Sequence, residues 1–556
     1  MKKIFSFIFI LLSVSRVSIA QNWLWAKQAG STLRDNFSTV VHDNNDNLYA
    51  SGITKASGAF NFYFGNDTLS GNGYGHVIAK YDVNGNEVWI KALREDNGGN
   101  GSGGIKIIYD KYSDVVIATG VFSGILTCDT FSVTSFIDPS TYMAKFDHNG
   151  NCLWLKFLFS TYLGGIGGAD VDSSGNIYCF ASLSTPYYYN SNNDTIHAGG
   201  NFIKLDSNGN ILWKKNKVDN AAWYLGSTYQ AYSMKIINSK MYLSGDMRKD
   251  TLQIDTITII NTNQAGIILS AFDMSANVQW AKATANPNTG GGYTISLDSN
   301  KNIYTMGNMS SPTLSSTVAY FSANDSIYNN SPYGNGFLAK FDSLGNYLWA
   351  RNIITSSGYA LVSNCSTSPE SNTYVIGYFK GTANFGIYSA SSTDTAMFIT
   401  RYDASGNCLG VMYFQKAFGS GLTTLSNGSP VVSGNFAGSV TIGSNSFTSY
   451  GDYDSYITEL DEFTGIKTEA RLMNNQLIIY ANPNSGKCNI TVPDDFLHEK
   501  NLTLQIFNNN GKMIQQKSLE MNEGKIKVSL DEEAKGIYNV ILGNGRKSYN
   551  GRIVFE

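Results

Sequence analysis

Proline is scarce, at 9 of 556 residues, and charged side chains make up only 15%. The net charge of −3 is spread without long runs, so no basic field exists to attract nucleic acid or an anionic membrane. Histidine is limited to five scattered residues, His42, His76, His148, His197 and His498. HExxH, GxSxG, a P-loop and CxxC are all missing, which removes the commonest hydrolase, nucleotide and zinc signatures. No catalytic residues, cofactor or metal ligands are assigned. Past the N-terminus no apolar run approaches the length of a membrane-spanning helix, so no transmembrane segment is expected in the mature chain.

What is abundant points one way. Tyr (34), Phe (30) and Gly (55) suit pleated, half-buried strands joined by tight turns, the composition of an all-β protein. At the N-terminus Lys2 and Lys3 precede the apolar run Ile4–Val14 and the small residues Ser18-Ile19-Ala20. This pattern predicts a signal peptide over residues 1–20, cleaved after Ala20, and hence a secreted or outer-membrane-surface protein. The six cysteines (128, 152, 179, 365, 408 and 488) are widely and irregularly spaced. Export permits disulfides. Buried free thiols are the plainer reading, and a pairing among Cys128, Cys152 and Cys179 stays open.

An internal repeat dominates the rest. Val77–Leu93 (VIAKYDVNGNEVWIKAL) returns as Tyr142–Leu158 (YMAKFDHNGNCLWLKFL), Phe202–Asn216, Ile268–Thr284, Phe337–Ile353 and Phe398–Phe414, and in part as Tyr456–Ile466. Its aspartates (82, 147, 206, 273, 342, 403 and 461) recur every 58 to 69 residues. A second phrase, a Tyr- or Val-rich strand ending in glycine, keeps the same period: LYASG at Leu48–Gly52, VIATG at Val116–Gly120, MYLSG at Met241–Gly245 and four more, with IYCFA at Ile177–Ala181 ending in Ala instead.

Asp-x-x-Gly-Asn reads as a tight hairpin turn with glycine at the position needing positive φ. The strand after it carries Trp89, Trp154, Trp213, Trp280 or Trp349, a ring that can pack between neighbouring sheets, and Gly410 stands where the sixth copy should have its tryptophan. The seventh copy lacks this strand altogether. Trp25-Ala26-Lys27 aligns with Trp280-Ala281-Lys282, so the N-terminus supplies the missing strand. An open solenoid has no use for that device, whereas a ring does. The expected fold is therefore all-β: a seven-bladed β-propeller over residues 21–466, closed by the N-terminal strand, then a linker (467–474) and a small β-sandwich (475–556). Surplus residues are assigned to loops such as Asp96–Gly104, Tyr187–Asn193 and Pro312–Ser326.

The repeat phrases resemble secreted bacterial propeller repeats of Bacteroidetes-like bacteria over residues 21–466. The C-terminal segment resembles the sorting domain of the type IX secretion system. The matching residues are Asn482-Pro483 and Gly486 in the first turn, Gly511-Lys512 in a hairpin and Gly536-Ile537-Tyr538 in a later strand, with Ala481 where that family usually has Pro. The resemblance implies Sec export, passage through the type IX machinery as a partner, and surface anchoring or release. A recurrent Asp-Thr/Ser-aliphatic triplet looks like the O-glycosylation sequon of the same bacterial group, which implies glycans at Thr68, Thr195, Thr256 or Ser326.

The functional expectation is a non-enzymatic binding or interaction module for a glycan or protein ligand. Tyr187-Tyr188-Tyr189 and Trp223-Tyr224 are the candidate contacts, because aromatic faces stack on sugars and anchor protein interfaces. The alternatives are an extracellular enzyme acting on polysaccharide or protein within a propeller channel, and a structural scaffold in a surface layer.

Overall fold

The computed structural model describes residues 23–556 except 56–58, 73–74, 97–104, 137–138, 161–163, 184–186, 190–193, 219–228, 248–250, 261–265, 285–288, 310–316, 323–324, 330, 332–333, 462–476, 478, 494–495, 498–500, 509–511, 520–523 and 545–547. The signal segment, the linker, Trp223, Tyr224 and Gly511 lie outside the described residues.

The repeated aspartate builds its hairpin directly. In Asp147–Asn151 one carboxylate oxygen accepts the backbone N–H groups of Asn149 and Asn151 (2.9 and 2.8 Å), and the other accepts the Asn151 side-chain amide (2.8 Å). Gly150 takes φ 82°, the left-handed value that glycine reaches without a Cβ penalty. Asp82, Asp206, Asp273, Asp342 and Asp403 repeat the same three bonds. A sister turn at Asp43–Asn47 spends its carboxylate in the same way, on Asn45, Asn47 and Tyr49. Partial desolvation raises the Asp147 carboxyl, but the Asn151 and Asn149 bonds and nearby His148 outweigh it and hold the group below its ordinary value. Asp147→Ala should therefore lower stability by about 2 kcal/mol, read by thermal denaturation.

Each hairpin belongs to a four-stranded antiparallel unit. The first comprises Arg34–His42, Leu48–Lys55, Gly75–Tyr81 and Glu87–Glu95. Later units begin with Lys106–Asp110, Gly164–Val171, Tyr229–Ile237 and Thr289–Leu297. The long strands Tyr347–Thr367, Thr373–Phe385 and Tyr388–Tyr402 run from one unit into the next. The last group is Ala417–Thr424, Pro430–Phe436 and Asp454–Leu460, and its fourth strand is Trp23–Gly30, paired antiparallel with Asp454–Leu460. Successive first strands touch one another, and Ala417–Thr424 touches Arg34–His42. The fold is all-β and propeller-like.

Of the segments assigned to loops, residues 97–104, 190–193, 312–316 and 323–324 lie outside the described residues, and Tyr187–Tyr189 and most of the described remainder are strand. A small hairpin is inserted between the second and third strands: Ala59–Phe64 with Asp67–Asn72, Ile125–Cys128 with Phe131–Thr134, Tyr187–Tyr189 with Asp194–Ile196, Thr251–Ile254 with Ile257–Ile260, Thr317–Ser322 with Asp325–Asn329, and Ser439–Ile442 with Asn445–Thr448. Several extend the sheet of the preceding unit, as Leu126 does opposite Glu95. They cover outer strands that would otherwise present open edges.

Two further devices explain the recurrent glycines and tryptophans. The first strands bulge, for example between Phe37 and Thr39, Val362 and Asn364, and Gly419 and Gly421. The bulge drives a carbonyl into the face of the glycine that ends the second phrase. A Cβ on Gly52 would lie 1.8 Å from the Asn36 oxygen, on Gly377 2.0 Å from that of Leu361, and on Gly434 1.9 Å from that of Phe418. Four of the tryptophans in turn sit on the turn glycine of the next repeat. A Cβ on Gly150 would meet Trp89, on Gly209 Trp154, on Gly345 Trp280, and on Gly85 Trp25 of the N-terminal strand. The Trp indole and the repeat lysine share one acceptor there. Trp89 and Lys80 both donate to the His148 carbonyl (3.1 and 3.0 Å), and Trp154 and Lys145 both donate to that of Ser207 (3.2 and 3.0 Å).

The C-terminal segment forms two sheets. One holds Ile479–Tyr480, Lys487–Thr491 and Lys525–Ser529; the other holds Met513–Leu519, Leu502–Asn508, Gly536–Gly543 and Ser548–Phe555. Ile490 and Val528 from the first share a core with Leu504, Ile506, Val540 and Ile553 from the second.

Candidate binding site

Two faces differ in chemistry. The tight Asp turns end one side of the units and are internally hydrogen-bonded. The opposite side carries the connections between units and the entrances to the inserted hairpins. There, aromatic rings from first and second strands and from the entry to Asp454–Leu460 form a continuous ledge. Tyr359 packs on Tyr378 (centroids 6.0 Å), Tyr378 on Phe418 (5.1 Å), and Phe418 on Tyr453 (6.4 Å). The Arg34 guanidinium lies 4.8 Å over the Tyr453 ring. All four rings are half-buried, as rings are when one face stays available. Beside them Tyr450, 51% exposed, packs on Tyr63 at 4.9 Å.

The phenols are held in place. The Tyr359 hydroxyl shares a hydrogen bond with the Thr395 hydroxyl (2.8 Å). Burial, with Tyr359 adding to it, raises the Tyr378 phenol, so it stays protonated and able to donate at neutral pH. The arrangement offers flat apolar faces, phenolic donors and a fixed cation, which suits stacking and hydrogen bonding to a hydroxyl-rich or peptide ligand.

Two carboxylates lie beneath the ledge, and neither is open to solvent. Asp35 accepts the backbone N–H and hydroxyl of Ser31 (2.5 and 2.7 Å). Asp454 accepts the Gln28 amide and the Tyr450 N–H (2.5 and 3.0 Å). Both residues are 0% exposed, and each keeps one oxygen without a hydrogen-bond partner. Burial pushes the Asp35 carboxyl up to about 6 against the hydrogen bonds from Ser31, and Asp454 adds to the rise. Burial likewise raises Asp454. Among the described residues no group of three or more His, Cys, Asp or Glu could hold a metal ion.

Of the contacts expected from sequence, Trp223 and Tyr224 lie outside the described residues. Tyr187, Tyr188 and Tyr189 form a strand of an inserted hairpin, away from the ledge residues in sequence and pairing. Thr68 and Thr256 are exposed on such hairpins, Ser326 is half-buried in another, and Thr195 pairs with Tyr188. The ledge itself was missed. Its one sequence signal is Tyr378, directly after the recurrent glycine of the second phrase, where other copies have Ile53, Val121, Asp246, Asn308 and Asn435.

The sorting motif is tied together more fully. The Asn482 side chain donates to the Arg552 carbonyl and accepts the Val554 N–H (2.6 and 2.7 Å), so the turn at Asn482-Pro483 is bound to the last strand. Gly486, at φ 103°, accepts the Leu530 N–H (2.6 Å) and leaves no room for a Cβ beside Asp531. Lys512 closes its hairpin by pairing with Asn508. Gly536 opens an exposed strand start, and buried Tyr538 donates its hydroxyl to the Ala534 carbonyl.

Residues 478–556 match the family described as "Secretion system C-terminal sorting domain". The chain is a propeller-like protein with a type IX sorting domain at its C-terminus, and that tail implies export to the cell surface or outer membrane. Similar solved structures include a Dos1 propeller (10% identity, 80% of this chain and 96% of that one, TM-score 0.37). A DUF4221 family member from Bacteroides vulgatus is also similar (10% identity, 79% and 99%, TM-score 0.30), as is a GH43 protein from Bacillus licheniformis (9% identity, 80% and 98%, TM-score 0.29). A search of curated proteins finds no matching relative. Among the described residues no helix is long and apolar enough to cross a membrane, which says nothing of a β-barrel.

Proposed function

We propose that the units close into a seven-bladed ring completed by Trp23–Gly30, that the C-terminal sheets pack as a sandwich serving export, and that the ring is a binding module for a glycan or protein ligand rather than an enzyme. Closure is supported by the strand pairing of Trp23–Gly30 with the last unit while its Trp25 ring rests on Gly85 of the first. The observation that carries the binding reading is the ledge of Tyr359, Tyr378, Phe418 and Tyr453 with Arg34 stacked at its end. Full burial of Asp35 and Asp454 argues against their use as a glycosidase pair, which must meet the substrate.

The test is a screen of the full exported chain on arrays of glycans and extracellular matrix proteins, with and without calcium. A saturable hit is expected, weakened by about tenfold or more in Tyr378→Ala or Tyr453→Ala. Unchanged binding in both variants, or no saturable hit, counts against the reading. For modification, Thr68 and Thr256 are the accessible sequon residues, and an intact mass above that of the bare chain is expected. A mass equal to the bare chain removes the glycan proposal.

A further inference from the structure

We infer that Cys128 and Cys152 are joined by a disulfide that staples an inserted hairpin to the outer strand of its own repeat. Cys128 ends the strand Ile125–Cys128 and Cys152 opens the strand Cys152–Ser160. The two side chains share one apolar core, at 2% and 8% exposure, where both stand as thiols and the Cys152 Sγ donates to the Trp154 carbonyl (3.6 Å). The backbone is locked in the same place. The Cys152 N–H donates to Asp129, the residue after Cys128 (2.9 Å), and Lys91 reaches that same carboxylate (3.7 Å).

The internal repeat gives this contact a reference. The residue ending the first hairpin strand meets the residue after Gly-Asn in other units too. Ile254 and Val278 share a core, Phe385 packs with Cys408, and in the fifth repeat Phe321, one residue before the strand end, stacks on Tyr347 at 5.6 Å. No other described pair holds two thiols: the first repeat has Phe64 with Glu87, and the sixth has one thiol, Cys408. In the second repeat alone both positions are cysteine. Cys179 and Cys488 are buried in separate cores; Cys365 and Cys408 border one core, but Cys408 is hydrogen-bonded to Thr400 (3.2 Å).

The hairpin also pairs with the preceding unit, Leu126 opposite Glu95 and Thr127 opposite Arg94, so the bond ties the outer edges of two consecutive units. Its formation joins the two Sγ atoms, releases two protons and passes two electrons to a protein disulfide of a thiol oxidase in the export compartment, which becomes a dithiol. Burial and the neighbouring thiol push Cys128 far above the ordinary thiol range. The exchange therefore belongs to the folding chain, before the pair is sealed.

The exported full chain, denatured without reductant and alkylated, is mapped by peptide mass spectrometry. The result expected is one linked peptide pair carrying Cys128 and Cys152, four of the six cysteines alkylated, and the linkage kept in Cys179→Ser but lost in Cys152→Ser. Alkylation of both Cys128 and Cys152 in the wild-type chain overturns the inference, as does a linkage of either to another cysteine. The mapping is made on wild-type chain, so a variant that fails to fold does not decide the matter.

Discussion

A chain lacking Trp23–Gly30 is expected to lose cooperative folding. The strand pairs with Asp454–Leu460 along its length and also carries the hairpin Ala59–Phe64 at its far end. Its side chains enter two cores, Ala26 beside Tyr456 and Leu460, and Ala29 beside Phe62, Phe64 and Ile457. Trp23 packs edge-on against Phe414 (5.3 Å), and Trp25 donates to Glu459 (2.8 Å) while covering Gly85. Removing two large aromatics and two buried alanines, and exposing two sheet edges, costs on the order of 10 kcal/mol, comparable to the whole stability of a folded domain. Limited proteolysis and thermal denaturation should show a rapidly cleaved chain without a sharp transition, and a synthetic peptide of residues 21–30 added in trans should partly restore both. A truncated chain that melts like the full one would show that this strand closes nothing.

Asp35→Asn is expected to stabilise the protein at neutral pH and to remove part of its pH dependence. The sign follows from burial. The folded-state carboxyl is raised from 3.8 to about 6, so folding favours the protonated form. Its contribution is fully present below the unfolded value and is lost as pH rises through the folded one. Above that range the protein holds a buried carboxylate whose second oxygen lacks a partner. The shift corresponds to at most about 3 kcal/mol, with Asp454 acting in the same direction. Denaturant midpoints of the wild type and Asp35→Asn should nearly coincide near pH 4 and separate near pH 7, with the variant the more stable. A wild type that gains on the variant as pH rises contradicts this account.

The closing strand was legible because its chemistry repeats. Trp25-Ala26-Lys27 matches phrases that other copies place after their Asp turns, and the structure puts it in the corresponding strand. The turns were legible for the same reason, since Asp147, Gly150 and Asn151 each have a local hydrogen-bonding or φ requirement. The inserted hairpins were not, because short segments such as Ile125–Cys128 and Phe131–Thr134 lack a strong alternating pattern and gain stability from the sheet they join. The period exposed Gly52, Gly377 and Gly434, but their reason is a bulge carbonyl on a neighbouring strand, which no local pattern records. The ledge was hidden for a similar cause: Tyr359, Tyr378, Phe418 and Tyr453 are isolated in sequence and meet only where neighbouring units come together.

Ring closure itself can be tested by trapping it. Ala29 and Ser455 are paired across the closing strand, both fully buried and both close in size to cysteine, and the Ser455 hydroxyl has no partner to lose. In Ala29→Cys/Ser455→Cys, oxidation of the folded chain should link the two ends of the ring and give a compact, faster-migrating species on a non-reducing denaturing gel, reversed by reductant and missing from either single variant. A double variant that stays folded yet yields no such species would contradict a ring closed by its N-terminal strand.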